Sequence, residues 1–188
     1  MAFEYQNKKI LLDVPYYSQY LHVQDEFWKP RACGIACLKM AMDNFREANL
    51  TIDDLINEAN KRGGFGEFGW IHDFIVEMAR ELGFNSHKKE WKSEIESVQE
   101  NLIQDATQEF IDNLSSGCPI IVPTAKSFSE KNKFHQVLLT GFEIKKGTLW
   151  GFYYHDPDSL DEDSGKHNFV PIDVFKNYWR RMAIYVKI

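Results

Sequence analysis

Cys33 in "PRACGIACLKM", His135 in "FHQVLLTGFE" and Asp156 in "YYHDPD" have the chemistry of a nucleophile, a base and an anchor for that base. Ile35, Leu38, Met42 and Phe45 recur at helical spacing, so a helix with one apolar stripe is expected to begin near Cys33 or Gly34 and stop near Arg46. A cysteine at a helix start meets unsatisfied N–H groups and the positive end of the helix dipole, both of which favour thiolate over thiol. Cys37, one turn further on, lacks that advantage and reads as a small buried residue. Cys118, between Gly117 and Pro119 at the start of a strand, reads the same way.

A thiolate nucleophile also needs a base, a group that orients the base and donors for the oxyanion. His135 opens an apolar strand directly after the polar loop "KSFSEKNKF", where a strand end can project into a cleft. Asp156 ends the next strand across the turn "KKG", so neighbouring strand ends can bring it to His135. His155 points to the opposite face by strand alternation, which leaves His135 as the preferred base. Gln19, in "VPYYSQY" ahead of the Cys33 helix, is the candidate amide donor to an oxyanion.

Up to about residue 115 the pattern is mostly helical. Thr51 with Asp54 is a capping signal for a second helix ending before Gly63-Gly64, "GGFGEFGW" reads as a loop, and "IHDFIVEMAREL" as a third helix closed at Gly83. Two shorter helical segments are expected around Ile95 to Leu102 and Thr107 to Leu114. "PIIVPTA", "HQVLLTGFEI", "TLWGFYYHD" and "RMAIYVKI" read as strands, with "PIDVFKNYW" a short helix before the last. Helices first and an antiparallel sheet afterwards make the fold class α+β, and 188 residues without a linker suggest a single domain, 1–188.

The net charge of -6 lacks the footprint that binding a phosphate backbone requires, so nucleic acid is not an expected partner. No apolar run approaches the ~20 residues that span a bilayer, and the start "MAFEYQNKKILLDV" shows no secretory pattern. With three cysteines that cannot all pair within one chain, a cytoplasmic protein is expected, with no membrane partner. A metal site built on Cys33, Cys37 and His135 lacks a second close ligand pair, and "DPDSLDEDSG" lacks calcium-loop spacing, with Leu160 where an oxygen ligand belongs. No metal or other cofactor is expected. The acidic run reads as a solvated loop that, beside Asp156, could rim the cleft and favour basic substrates. Trp28, Phe65, Phe68 and Trp70 read as core, with a role in lining a cleft as the alternative.

In this order, "VPYYSQ" (14–19), "ACGIACLKMAM" (32–42), "GCPIIVP" (117–123), "HQVLLTGFE" (135–143) and "HDPD" (155–158) resemble the double-glycine leader, or bacteriocin-processing, peptidases, family thirty-nine of the cysteine peptidases. "GWIHDFIVEMARELG" (69–83) is similar to the helix such domains place between the cysteine and histidine halves. The resemblance implies a papain-like fold with the nucleophile helix packed on the C-terminal sheet, and a peptide or protein substrate. It implies Cys33 as nucleophile, His135 as base and acid, Asp156 as orienting carboxylate and Gln19 as oxyanion donor. Two positions depart from the pattern: His155 stands where Asn often precedes Asp-Pro, and Ile35 where Pro commonly follows Cys-Gly. The chain shows no phosphate-binding loop and no spanning segment, so it resembles the free-standing branch, and cleavage after Gly-Gly is not carried over. Hydrolysis of an amide through a thioester is the leading expectation. Acyl transfer by the same thiolate and non-catalytic peptide binding are the alternatives.

Overall fold

The computed structural model describes residues 7–188. Its centre is an antiparallel seven-stranded sheet with helices on both faces. In chain order the elements are β1 (Asn7–Leu11), α1 (Cys33–Asp43), α2 (Ile52–Lys61), β2 (Phe65–Gly66), β3 (Gly69–Trp70), α3 (His72–Glu81), β4 (Asn85–Glu90) and α4 (Glu96–Ser115). They are followed by β5 (Ile120–Lys126), β6 (Glu130–Lys145), β7 (Thr148–His155), α5 (Glu162–Gly165), β8 (Asn168–Pro171), α6 (Ile172–Tyr178) and β9 (Met182–Lys187). The sheet runs β4-β9-β5-β6-β7-β8, with β1 added beside the C-terminal part of β6. Helices α1 and α3 pack on one face and α4 and α6 on the other, each burying its own apolar cluster against the strands.

Helix α1 is buried on every side from Gly34 to Met42, which replaces the expected single apolar stripe with a largely apolar rod inserted into the core. Its one long polar side chain, Lys39, is satisfied in place: Nζ donates to Asp43 Oδ2 at 2.5 Å and to the Ala48 carbonyl at 2.8 Å. Asp43 also accepts from the Tyr17 hydroxyl at 2.7 Å and the Ala48 N–H at 2.9 Å, so this end of the helix is tied to two loops. Helix α2 has the expected reciprocal cap between Thr51 and Asp54.

Three expectations are corrected, and one strand is added to them. "GGFGEFGW" is a small hairpin, β2 paired to β3, because Gly69 at φ +109° supplies a backbone turn that other residues avoid. The two short helical segments form one continuous α4 whose Phe110 and Leu114 reach the core. The polar "NSHKKE" is β4, an edge strand held on β9 by backbone pairing, by Ser86 Oγ donating to the Tyr185 carbonyl at 2.9 Å and by His87 stacked on Tyr185. The polar stretch before His135 is not all loop: β6 starts at Glu130 and turns back on β5 through Ser127 and Phe128, both at positive φ.

The turn at "KKG" is as expected, with Lys146 and Gly147 both at positive φ between Lys145 and Thr148. Gly141 is required where β1 joins β6, since a Cβ there would lie 2.2 Å from the Ile10 carbonyl oxygen. This register positions the site. His155 pairs with Leu138, so the chain leaving β7 at Asp156 passes beside the His135 end of β6.

Candidate active site

Cys33 is the first residue of α1 and is partly exposed, while every residue from Gly34 to Met42 is buried. No side chain caps the start of this helix, so its first N–H groups are left for whatever lies against Cys33. His135, 5% exposed, lines the same cavity as Cys33, whose sulfur is near enough to raise its pKa. Its Nε2 lies 2.6 Å from Asp156 Oδ1. Burial alone would lower the basicity of His135, but the bond to Asp156 and the nearby Cys33 outweigh it and raise the pKa to about 10. Asp156 answers in the opposite direction: burial pushes its carboxyl up, the His135 bond and charge pull it further down, and it ends below the ordinary carboxylate value.

Asp156 is held by its backbone as well as by the imidazole. Its N–H donates to the Gly165 carbonyl at 2.8 Å, its carbonyl accepts from the Tyr16 hydroxyl at 2.9 Å, and Oδ1 accepts the Asp158 N–H at 2.9 Å. Gly165 is needed for this approach, because a Cβ there would fall 1.8 Å from the Tyr16 oxygen. Two motifs far apart in sequence are thus laced together. Ser18 Oγ donates to the Ser159 carbonyl at 2.5 Å, and the Gln19 N–H donates to the Pro157 carbonyl at 2.9 Å.

Gln19 is 2% exposed, its Nε2 donates to Asp158 Oδ1 at 2.9 Å, and its Oε1 is buried without a partner. Unlike Cys33 and His135, it is not among the residues lining the cavity beside α1. Asp158 also accepts from the Tyr20 hydroxyl at 2.9 Å and pairs with Lys126 Nζ at 2.6 Å. The acidic run is therefore consumed in bonds of its own, and none of residues 156–163 lines the cavity, which removes the expectation of an acidic rim.

The remaining candidates separate by burial. Cys37 is fully buried with Sγ 3.5 Å from the Gln136 carbonyl, and burial, reinforced by Cys33 and Asp156, pushes its thiol well up. Cys118 is buried as well. His155 lies on the far side of β7, as its alternation requires: its Nε2 is 3.1 Å from the Val14 carbonyl, its Nδ1 accepts the His167 N–H at 3.1 Å, and burial lowers its pKa to about 4. It is a neutral structural histidine. Trp28 is core, stacked on Trp70 with centroids 5.4 Å apart, whereas Phe65, Phe68 and Trp70 line the cavity.

Sequence reasoning passed over three residues here. Asp158 lies in an acidic run and Phe134 in a stretch read as loop, and the one signal at Gln136 is a polar residue inside an apolar strand.

The charges make a stability prediction. His135 is raised from 6.5 to about 10, so its contribution is fully present below about pH 6.5 and is lost as pH rises through about 10. Asp156 is lowered, so its contribution is present above about pH 3.8 and is lost as pH falls through its folded value. The difference in Tm between the wild type and His135→Gln is therefore largest near pH 5–6 and shrinks toward about pH 10, as calorimetry across that range checks.

Comparison with known proteins follows the same lines. The model of the C39-like peptidase family matches residues 11–186. A C39-like peptidase from Bacillus anthracis superposes with a TM-score of 0.68 at 18% identity, over 96% of this chain and 98% of that one. The peptidase domain of Streptococcus ComA, a bi-functional ABC transporter involved in quorum sensing, gives 0.56 at 20% identity over 84% and 92%. A double-glycine-motif protease from an AMS/PCAT transporter, in complex with its leader peptide, gives 0.53 at 13% identity over 94% and 93%. No curated protein matches the sequence. With the family model spanning nearly the whole chain and the fold shared with those peptidases, the chain belongs to the C39-like peptidase family.

Proposed function

We propose that this protein is a cysteine peptidase that hydrolyses amide bonds through Cys33, His135 and Asp156. The observation that carries the reading is one cavity lined by the partly exposed Cys33, at the open start of α1, and by buried His135, whose Nε2 lies 2.6 Å from Asp156 Oδ1. A histidine with its pKa raised to about 10 is imidazolium at neutral pH, a cation beside the sulfur and a proton donor for the leaving amine.

Cys33 Sγ attacks the scissile carbonyl carbon and the carbonyl π pair moves to oxygen. N–H groups at the start of α1 and the second Nε2–H of Gln19 stabilise that oxyanion. As the oxyanion collapses, the C–N bond breaks and His135 gives its proton to the leaving amine. The product is a thioester on Cys33. His135, now neutral, removes a proton from water as it attacks the thioester, and the carboxylic acid leaves with the thiolate restored. Asp156 accepts from His135 Nε2 throughout, which fixes the tautomer and keeps Nδ1 turned to the cysteine.

The test is incubation with a mixed peptide library and mass analysis of the products, with and without an added amine such as hydroxylamine. New carboxyl termini that vanish in Cys33→Ala support hydrolysis. Products that appear only as amine adducts, or cleavage that persists in Cys33→Ala, overturn it.

A further inference from the structure

The cavity beside Cys33 is built for more than the peptide bond. It has a volume of about 580 Å³ and lies between the β2–β3 hairpin and the end of β6 that carries His135. Phe68, at the hairpin tip, and Phe134, next to His135, are 77% and 59% exposed, and their ring centroids are 6.4 Å apart. Both line the cavity, together with Trp70, Ile71 and Met182. Arg180 stacks on Phe134 with its guanidinium carbon 4.1 Å from the ring centroid, and its Nη2 is anchored on the Lys131 carbonyl at 2.6 Å. Two large apolar rings are thereby held facing solvent beside the nucleophile, where covering them recovers ~25 cal/mol for each Å² removed from water.

Gln136 supplies a second, independent feature. It is 6% exposed, it lines the same cavity, and its Oε1 is buried with no hydrogen-bond partner. Its amide sits against the start of α1, with Nε2 and Oε1 each 3.1 Å from where a Cβ on Gly34 would lie, so only a glycine after Cys33 admits it without displacement. A buried acceptor left unpaired costs roughly 1–3 kcal/mol, a penalty relieved when a donor arrives with the substrate. The N–H of a peptide running past Cys33 is such a donor.

The charges around the cavity nearly balance, with Arg31, Lys92 and Arg180 against Glu67 and Glu90, so the walls select by shape and apolarity rather than by charge.

We propose that this cleft selects peptides bearing a large apolar side chain, aromatic above all, within a residue or two of the scissile amide, with Phe68 and Phe134 as its walls and Gln136 Oε1 accepting a backbone N–H. The proposal rests on the peptidase reading. It places glycine at the cleft among the poorest substrates, since glycine leaves both rings in water.

The test is a peptide series with Phe, Leu, Ala, Gly or Asp at each position flanking the cleaved bond, assayed with the wild type and with Phe68→Ala, Phe134→Ala and Gln136→Leu. Phe is expected to exceed Gly by about 10–200-fold in kcat/KM, the range an apolar pocket discriminates. Either phenylalanine variant should compress that ratio, while Gln136→Leu should lower kcat/KM for all peptides alike. Calorimetric binding of the same peptides to Cys33→Ala reads the pocket without turnover. Phe-selective binding with no hydrolysis by the wild type would sink the peptidase reading and uphold the pocket. A flat series, a preference for Gly, or a preference unchanged in both phenylalanine variants overturns the proposal. So does a dimer, seen by sedimentation, that both variants dissociate while the preference stays.

Discussion

Replacing His135 by alanine is expected to lower hydrolysis of a cleaved peptide by about 10²–10⁴-fold in kcat/KM, the usual contribution of a positioned acid–base group. The same change slows iodoacetamide labelling of Cys33 at about pH 6, where a thiol of ordinary pKa ~8.5 is almost wholly protonated and unreactive. The two effects share a cause. Against the effect of burial, His135 is raised to about 10 by its bond to Asp156 and by Cys33 nearby, and in the proposed mechanism its removal takes away both the proton donor for the leaving amine and the cation beside the sulfur. Because His135 is nearly buried, the alanine leaves a cavity beside Asp156, so His135→Gln serves as the space-filling control. Labelling is read by peptide mass, which separates Cys33 from the buried Cys37 and Cys118. Equal labelling in wild type and both variants, or hydrolysis within a few-fold of wild type, would remove His135 from the mechanism.

Gln19→Ala is expected to lower kcat by about 10²–10³-fold with a smaller change in KM, since an oxyanion donor acts on charge that exists only in the transition state. Iodoacetamide labelling, which forms no oxyanion, should stay near wild type. In the proposed mechanism Asp158 acts through Gln19 as a positioning residue. Its carboxylate accepts one Nε2–H, which turns the amide so that nitrogen, rather than Oε1, is held at that end, and its own N–H steadies Asp156 Oδ1. Asp158→Ala should therefore reproduce part of the kcat loss, Asp158→Asn should restore some of it, and Asp158→Ala should add little in a Gln19→Ala background. Additive losses in the double variant, or slowed Cys33 labelling in Asp158→Ala, would show that the loop merely supports the fold. A Gln19→Ala enzyme with unchanged kcat would leave the oxyanion to the α1 N–H groups alone.

The origin of each part differs. Local chemistry determined the helix that begins at Cys33, the capped α2, the turn at Lys146-Gly147, strands β5, β7 and β9 and the part of β6 from His135 on, because each is decided by spacing and turn residues within a few positions. Alternation along β7 likewise separated Asp156 from His155. These were enough to rank Cys33, His135, Asp156 and Gln19 as the candidate machinery, and the order of their motifs pointed to the family.

Tertiary structure decided what depends on residues remote in the chain. Strand β4 is polar and exists because β9 offers it a backbone edge. Helix α1 is buried all round because α2, α3 and the sheet enclose it, which no single-helix periodicity reveals. Asp158 reads as one more acid in a solvated run until Gln19, Tyr20 and Lys126 converge on it. Phe134 and Gln136 looked like the end of a loop and a stray polar residue. Their place in the cleft follows from the hairpin and the start of α1 closing over them, contacts set by packing across the molecule and not by any neighbour in sequence.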